Sequence, residues 1–105
     1  MAAVQEDEEN EFRRIRLPRE RDLEQFGLVI QLMGTDQIKV LCADGKERQC
    51  RIPGKLKKRV WIRQNDIVII KLWDFQPSKA DIVWRFFGHQ TEYLKREGRL
   101  KGLPV

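Results

Sequence analysis

The sequence predicts an all-β fold: a five-stranded OB-type barrel with a short C-terminal helix and a disordered acidic N-terminal tail. Three observations predict it. Short apolar runs recur with period two, turn signals separate them, and the connection between the third and fourth runs is much the longest. Five short strands so spaced suit a five-stranded Greek-key barrel, with an SH3-like barrel as the main alternative. A chain of 105 residues has room for one modest core and a short tail. The expected division is a disordered tail over 1–16, the barrel over 17–87, and a helix with a tail over 88–105.

The opening MAAVQEDEENEF is polar, acidic and without periodicity, a composition with too little apolar surface to order itself. Pro18 excludes a helix through RRIRLPRERD. From there Phe26, Leu28, Ile30 and Leu32 alternate on one face of a first strand, which GTD at 34–36 stops. A second run, Ile38, Val40 and Cys42, turns at Ala43-Asp44-Gly45 and returns through residues 46–52. Two turns fit. A two-residue Asp-Gly turn pairs Ile38 with Arg51, whereas a three-residue loop with Gly45 left-handed pairs Ile38 with Cys50 and Val40 with Arg48. The second groups more apolar residues on one face and is preferred. It also sets Cys50 opposite Ile38 and not opposite Cys42, which argues against a disulfide.

Residues 53–66 form a connection of 14 residues, long enough to be expected functional or partly helical. Ile67–Trp73 is a nearly continuous apolar strand, followed by a loop containing Pro77. Ile82, Trp84 and Phe86 then alternate in a fifth strand. His89–Glu97 favours a short helix that Gly98 terminates. Closure of the barrel removes free strand edges, so a monomer is expected.

Charged residues make up 35% of the chain, against roughly 25% in an average domain. The net charge is +5, and its distribution is uneven. Residues 1–11 carry five acids and no base, whereas residues 46–63 hold eight bases against the single acid Glu47. One central segment therefore supplies more than the whole net charge, as a face for an anionic partner would.

Several function classes are disfavoured. The longest apolar run is the four residues IVII at 67–70, so nothing spans a bilayer. The acidic start reads as neither a secretory signal nor a transit peptide, and two cysteines suit a reducing cytosol. The chain has one histidine, His89, and one serine, Ser78, with no nucleophile–base pair that folding would obviously assemble. Seven residues separate Cys42 from Cys50 and no histidine cluster completes a metal site. Gly54-Lys55 lacks the preceding glycine and following Ser/Thr of a phosphate loop. No enzyme, cofactor or metal is expected.

The segment GKLKKRVWI at 54–62 is the best candidate site. Lys55, Lys57, Lys58 and Arg59 suit phosphates, and Trp61 offers a face on which an unstacked base can lie. Arg48, Arg51 and Arg63 extend the cationic surface. The alternative is a solvated loop whose Trp61 plugs the end of the barrel. Trp73 and Phe75, in WDFQP at the end of the fourth strand, either stack on bases or cap the core.

The runs DGKERQCRIPGKLKKRVWI at 44–62 and NDIVIIKLWDFQPSKADIVWRF at 65–86 closely resemble the archaeal and eukaryotic translation initiation factor 1A family, with similarity over about residues 17–100. The resemblance implies an OB barrel that contacts rRNA of the small ribosomal subunit near the aminoacyl (decoding) site. It implies promotion of subunit dissociation, initiator tRNA binding and start-site selection, with mRNA and other initiation factors nearby. By position, the family's basic ribosome-contacting loop falls on Lys55, Lys57, Lys58, Arg59 and Trp61, and its strand-end contact on Trp73 and Phe75. Eukaryotic members carry a basic N-terminal and a long acidic C-terminal tail. Here the first eleven residues are acidic and the chain ends at Val105 with bases; the short tails favour an archaeal member.

Overall fold

A computed structural model describes residues 15–34, 36–57 and 61–105; the tail expected to be disordered lies, up to residue 14, outside the described residues. The strands are β1 (Glu24–Leu32), β2 (Gln37–Cys42), β3 (Glu47–Arg51), β4 (Ile67–Trp73) and β5 (Gln76–Arg85). Among the described residues a short 3-10 turn (Glu20–Asp22) and two α-helices accompany them, a single turn α1 (Gly54–Lys57) and the longer α2 (Gly88–Arg96). The strands close into a barrel in the order β1-β2-β3-β5-β4. Every neighbouring pair is antiparallel except β3 with β5, and the β1–β4 pair completes the closure.

The β2–β3 hairpin has the preferred register, Ile38 with Cys50 and Val40 with Arg48. Gly45 has φ 88°, and its N–H donates to the Cys42 carbonyl oxygen at 2.8 Å. That left-handed conformation is one glycine adopts without strain. Cys42 and Cys50 are buried free thiols, and burial pushes the Cys50 thiol up to about 12.

Among the described residues two cores, not one, organise the fold. Val29, Ile38, Val40, Cys42, Cys50, Val68, Ile70, Ala80 and Ile82 form one cluster. Every strand contributes to it, so it fills the barrel interior. Gly27 faces this interior where a methyl group would collide with Val40 Cγ1, so only glycine fits. The second cluster gathers Phe26, Leu28, Ile67, Ile69 and Phe86 under Leu94 of α2 and under Ile15, Leu100 and Leu103. It lies on the outer face of β1 and β4. The continuous apolar run of β4 follows directly, because Val68 and Ile70 point inward while Ile67 and Ile69 meet the helix layer.

Four expectations are corrected. The alternation Phe26–Leu28–Ile30–Leu32 breaks at a bulge between Val29 and Gln31. Phe26, Leu28 and Ile30 keep to the outer core, whereas Leu32 pairs with inward Ile38 and is 51% exposed, because one extra residue rotates the end of the strand by one face. A second bulge between Ile69 and Ile70 in the β4–β5 ladder separates Ile82, which is inside, from Phe86, which is in the outer core. Pro77 lies within β5, not in a loop, before the first described β3–β5 partners, Gln49 and Lys79. Finally, Ile15 and Arg16, placed in the tail by sequence, belong to the fold. Ile15 is in the outer core, and Arg16 Nη2 donates at 2.8 Å to buried Glu24.

Candidate nucleic-acid interface

The long connection leaves β3 at Arg51 and returns at Ile67. Its expected helical content is the turn α1. Ile52, Leu56 and Ile62 pack against the barrel interior. These aliphatic residues, not Trp61, stop the end of the barrel, and Trp61 is left 79% exposed. Lys55 and Arg63 are exposed beside them. Lys58, Arg59 and the side chain of Lys57 lie outside the described residues. Asp66 fixes the return: its Oδ2 accepts the Arg63 backbone N–H at 2.8 Å and Arg85 Nε at 3.2 Å.

Arg48 does not belong with the others. It is 6% exposed, since the alternation that turns Cys50 inward turns Arg48 inward too. Its Nη1 and Nη2 donate to Asp44 at 3.0 and 2.9 Å, and its Nε donates to the Pro77 carbonyl oxygen at 2.7 Å. A guanidinium so engaged ties the β2–β3 turn to the start of β5 and has little left for a phosphate. The same contact holds the Asp44 carboxyl down to about 2.

Arg51, three residues on, faces outward. There it meets the aromatic pair at the β4–β5 turn. The Trp73 and Phe75 ring centres are 5.7 Å apart, and the Arg51 guanidinium carbon and Lys79 Nζ lie 5.5 and 5.7 Å from the Trp73 ring. Neither aromatic enters a core cluster, and Phe75 is 85% exposed, so capping of the core is not their role. Six residue steps of β4 separate Ile67, where the long connection ends, from Trp73. At about 3.3 Å each, the two ends of that strand stand roughly 20 Å apart along the barrel.

Sequence reasoning missed Asp81 and Lys79, which complete the Trp73 site. Both lie in the KAD stretch of the second family-like run. Its contact with Arg51 depends on the parallel β3–β5 pairing, which no local pattern reveals. Among the described residues no three of His, Cys, Asp and Glu gather as a metal site, and no helix is long and apolar enough to cross a membrane.

Fold and surface define a class first: a small closed OB-type barrel with exposed aromatic rings among outward-facing cations. The chain belongs to the translation initiation factor 1A family, since the family profile described as "Translation initiation factor 1A / IF-1" matches residues 13–103. It is 50% identical over 88 residues to translation initiation factor 1A of Methanopyrus kandleri, covering 84% of this chain and 78% of that one. It is also 50% identical over 93 residues to the factor 1A of Archaeoglobus fulgidus, covering 89% and 96%. In fold it is similar to the solution structure of translation initiation factor 1 from the Wolbachia endosymbiont of Brugia malayi. That likeness has a TM-score of 0.50 at 23% identity and covers 68% of this chain and 85% of the other. Members of the 1A family are translation factors, not enzymes.

Proposed function

We propose that this chain binds rRNA of the small ribosomal subunit near the aminoacyl (decoding) site. There it promotes subunit dissociation, initiator tRNA binding and start-site selection, alongside mRNA and other initiation factors. It acts as a monomer and by binding alone. Lys55, Lys57, Lys58, Arg59 and Arg63 neutralise phosphates while Trp61 stacks on an unpaired base; Arg51, Trp73 and Phe75 supply a second contact. The observation that carries the reading is the exposure of Trp61. A large ring held out in water within a cationic segment loses apolar burial, and stacking on a base restores it. Membership of an initiation-factor family supports the ribosomal setting.

Trp61→Ala tests this, because the ring has few contacts to lose. The variant is expected to lose about 1–3 kcal/mol of affinity for small subunits, a factor of about five to 150, with its denaturant midpoint unchanged. In cosedimentation the parent protein is expected to prefer small subunits to large ones and to free oligonucleotides. Full-strength binding by folded Trp61→Ala removes the residue from the site. Equal competition by free RNA marks a general single-strand binder, and complexes that survive nuclease mark a protein-docking barrel.

A further inference from the structure

Asp81 is an acid in the middle of a face read as RNA-binding, where its charge opposes phosphate. Its geometry supplies a reason for it. Oδ1 accepts Trp73 Nε1 at 3.0 Å and Arg51 Nε at 3.1 Å, and Oδ2 accepts Arg51 Nη2 at 3.0 Å. One carboxylate thus fixes both the tilt of the indole and the fork of the guanidinium. The fixed indole in turn backs Phe75, whose ring lies 33° off its plane and is almost wholly in water. The open groove beside them is lined by Arg21, Arg51 and Lys71 against Asp22, Asp74 and Asp81, three charges of each sign. Attraction for phosphate is weak in such a groove, so a ligand here is held mainly by its rings.

We propose that Asp81 is a positioning residue. It pre-organises Trp73 and Phe75 as a platform for an unstacked base of single-stranded RNA, so that less side-chain freedom is lost on binding. The inference rests on the RNA-binding reading of this face and adds the group that shapes it.

The test exploits a difference of sign. If Asp81 were only a surface charge, removing it would tighten RNA binding, roughly twofold to fivefold at low salt. As a positioning group, its loss weakens binding. The probe is a fluorescein-labelled decamer of adenylate, titrated into the full chain and its variants. Asp81→Ala is expected to bind on the order of tenfold more weakly. Asp81→Asn, which keeps one acceptor oxygen, is expected to fall between Asp81→Ala and the parent. Denaturant midpoints establish that each variant is folded, and Asp81→Asn carries the test alone should Asp81→Ala not fold. Tighter or unchanged binding by either folded variant overturns the proposal. Phe75→Ala separates the two readings. Its full-strength binding would show that this face is not the platform, whereas a weak Phe75→Ala beside a tightened Asp81→Ala would sink the positioning role alone. In a Phe75→Ala background, Asp81→Ala is expected to add no further loss.

Discussion

Arg48 and Arg51 stand three positions apart in one strand and face opposite ways. The difference was within reach of the sequence. Once Cys50 is assigned to the interior, period two sends Arg48 inward and Arg51 outward. Counting cations around the loop obscured this, because a sum ignores which face each residue occupies. Trp61 was a harder case. Nothing local distinguishes it from Leu56 or Ile62 as a plug, and only the tertiary packing puts the aliphatic residues in and leaves the ring out. The Arg48–Asp44 contact has a consequence in acid. Asp44 titrates near 3.8 when unfolded and near 2 when folded. Its contribution is therefore complete above about 3.8 and lost as pH falls through about 2. Asp44→Asn lacks that contribution at every pH. The stability gap between parent and Asp44→Asn, read from urea midpoints, is expected to be wide at neutral pH and to close towards pH 2. A gap that persists undiminished at pH 2 would mean that the ion pair does not stabilise the fold in this way.

The strands and α2 were legible as elements, and so was the β2–β3 register. Their partners were less so. Both bulges were invisible, because an inserted residue leaves a run that still looks alternating, and Leu32 and Phe86 were assigned to the wrong faces as a result. The helix looked like an appendage because Leu94 is its single buried residue, too little to show an apolar stripe. That leucine nevertheless closes a core that Leu100 and Leu103 extend beyond the helix. Leu94→Ala is therefore expected to destabilise the protein by about 2–5 kcal/mol, as for deletion of a buried leucine elsewhere. RNA binding by the folded fraction should be kept, because none of the outer-core residues is among the proposed contacts. Denaturant titration and RNA affinity of the same variant check both halves. A shift below about 1 kcal/mol would show that the helix layer is not part of the cooperative unit.

At the level of the molecule, the outer surface of the barrel is unevenly covered. The β1–β4 face is covered by α2 and the terminal segments and is used for stability. The connection after β3 and the β4–β5 turn are left uncovered, with Lys55, Trp61, Arg63 and Phe75 exposed there. Charge follows the same division. Residues 46–63 carry seven more positive than negative charges, and withdrawing Arg48 leaves six. This asymmetry was the most legible functional feature of the sequence, because charge is counted residue by residue and needs no fold. It sets a quantitative expectation. If about five phosphates are neutralised, the logarithm of affinity falls with the logarithm of salt at a slope near −3.5, as for single strands. Between 50 and 200 mM salt, binding to small subunits or RNA should then weaken by roughly a hundredfold. The Trp73–Phe75 platform, in a groove of balanced charge, should add affinity without adding slope. Phe75→Ala is thus expected to lower affinity at every salt concentration while leaving the slope alone, whereas Lys55→Ala should reduce the slope by about 0.7. A flat salt response of the parent protein would remove phosphate neutralisation from the mechanism and leave the cationic segment as a docking surface for an acidic protein.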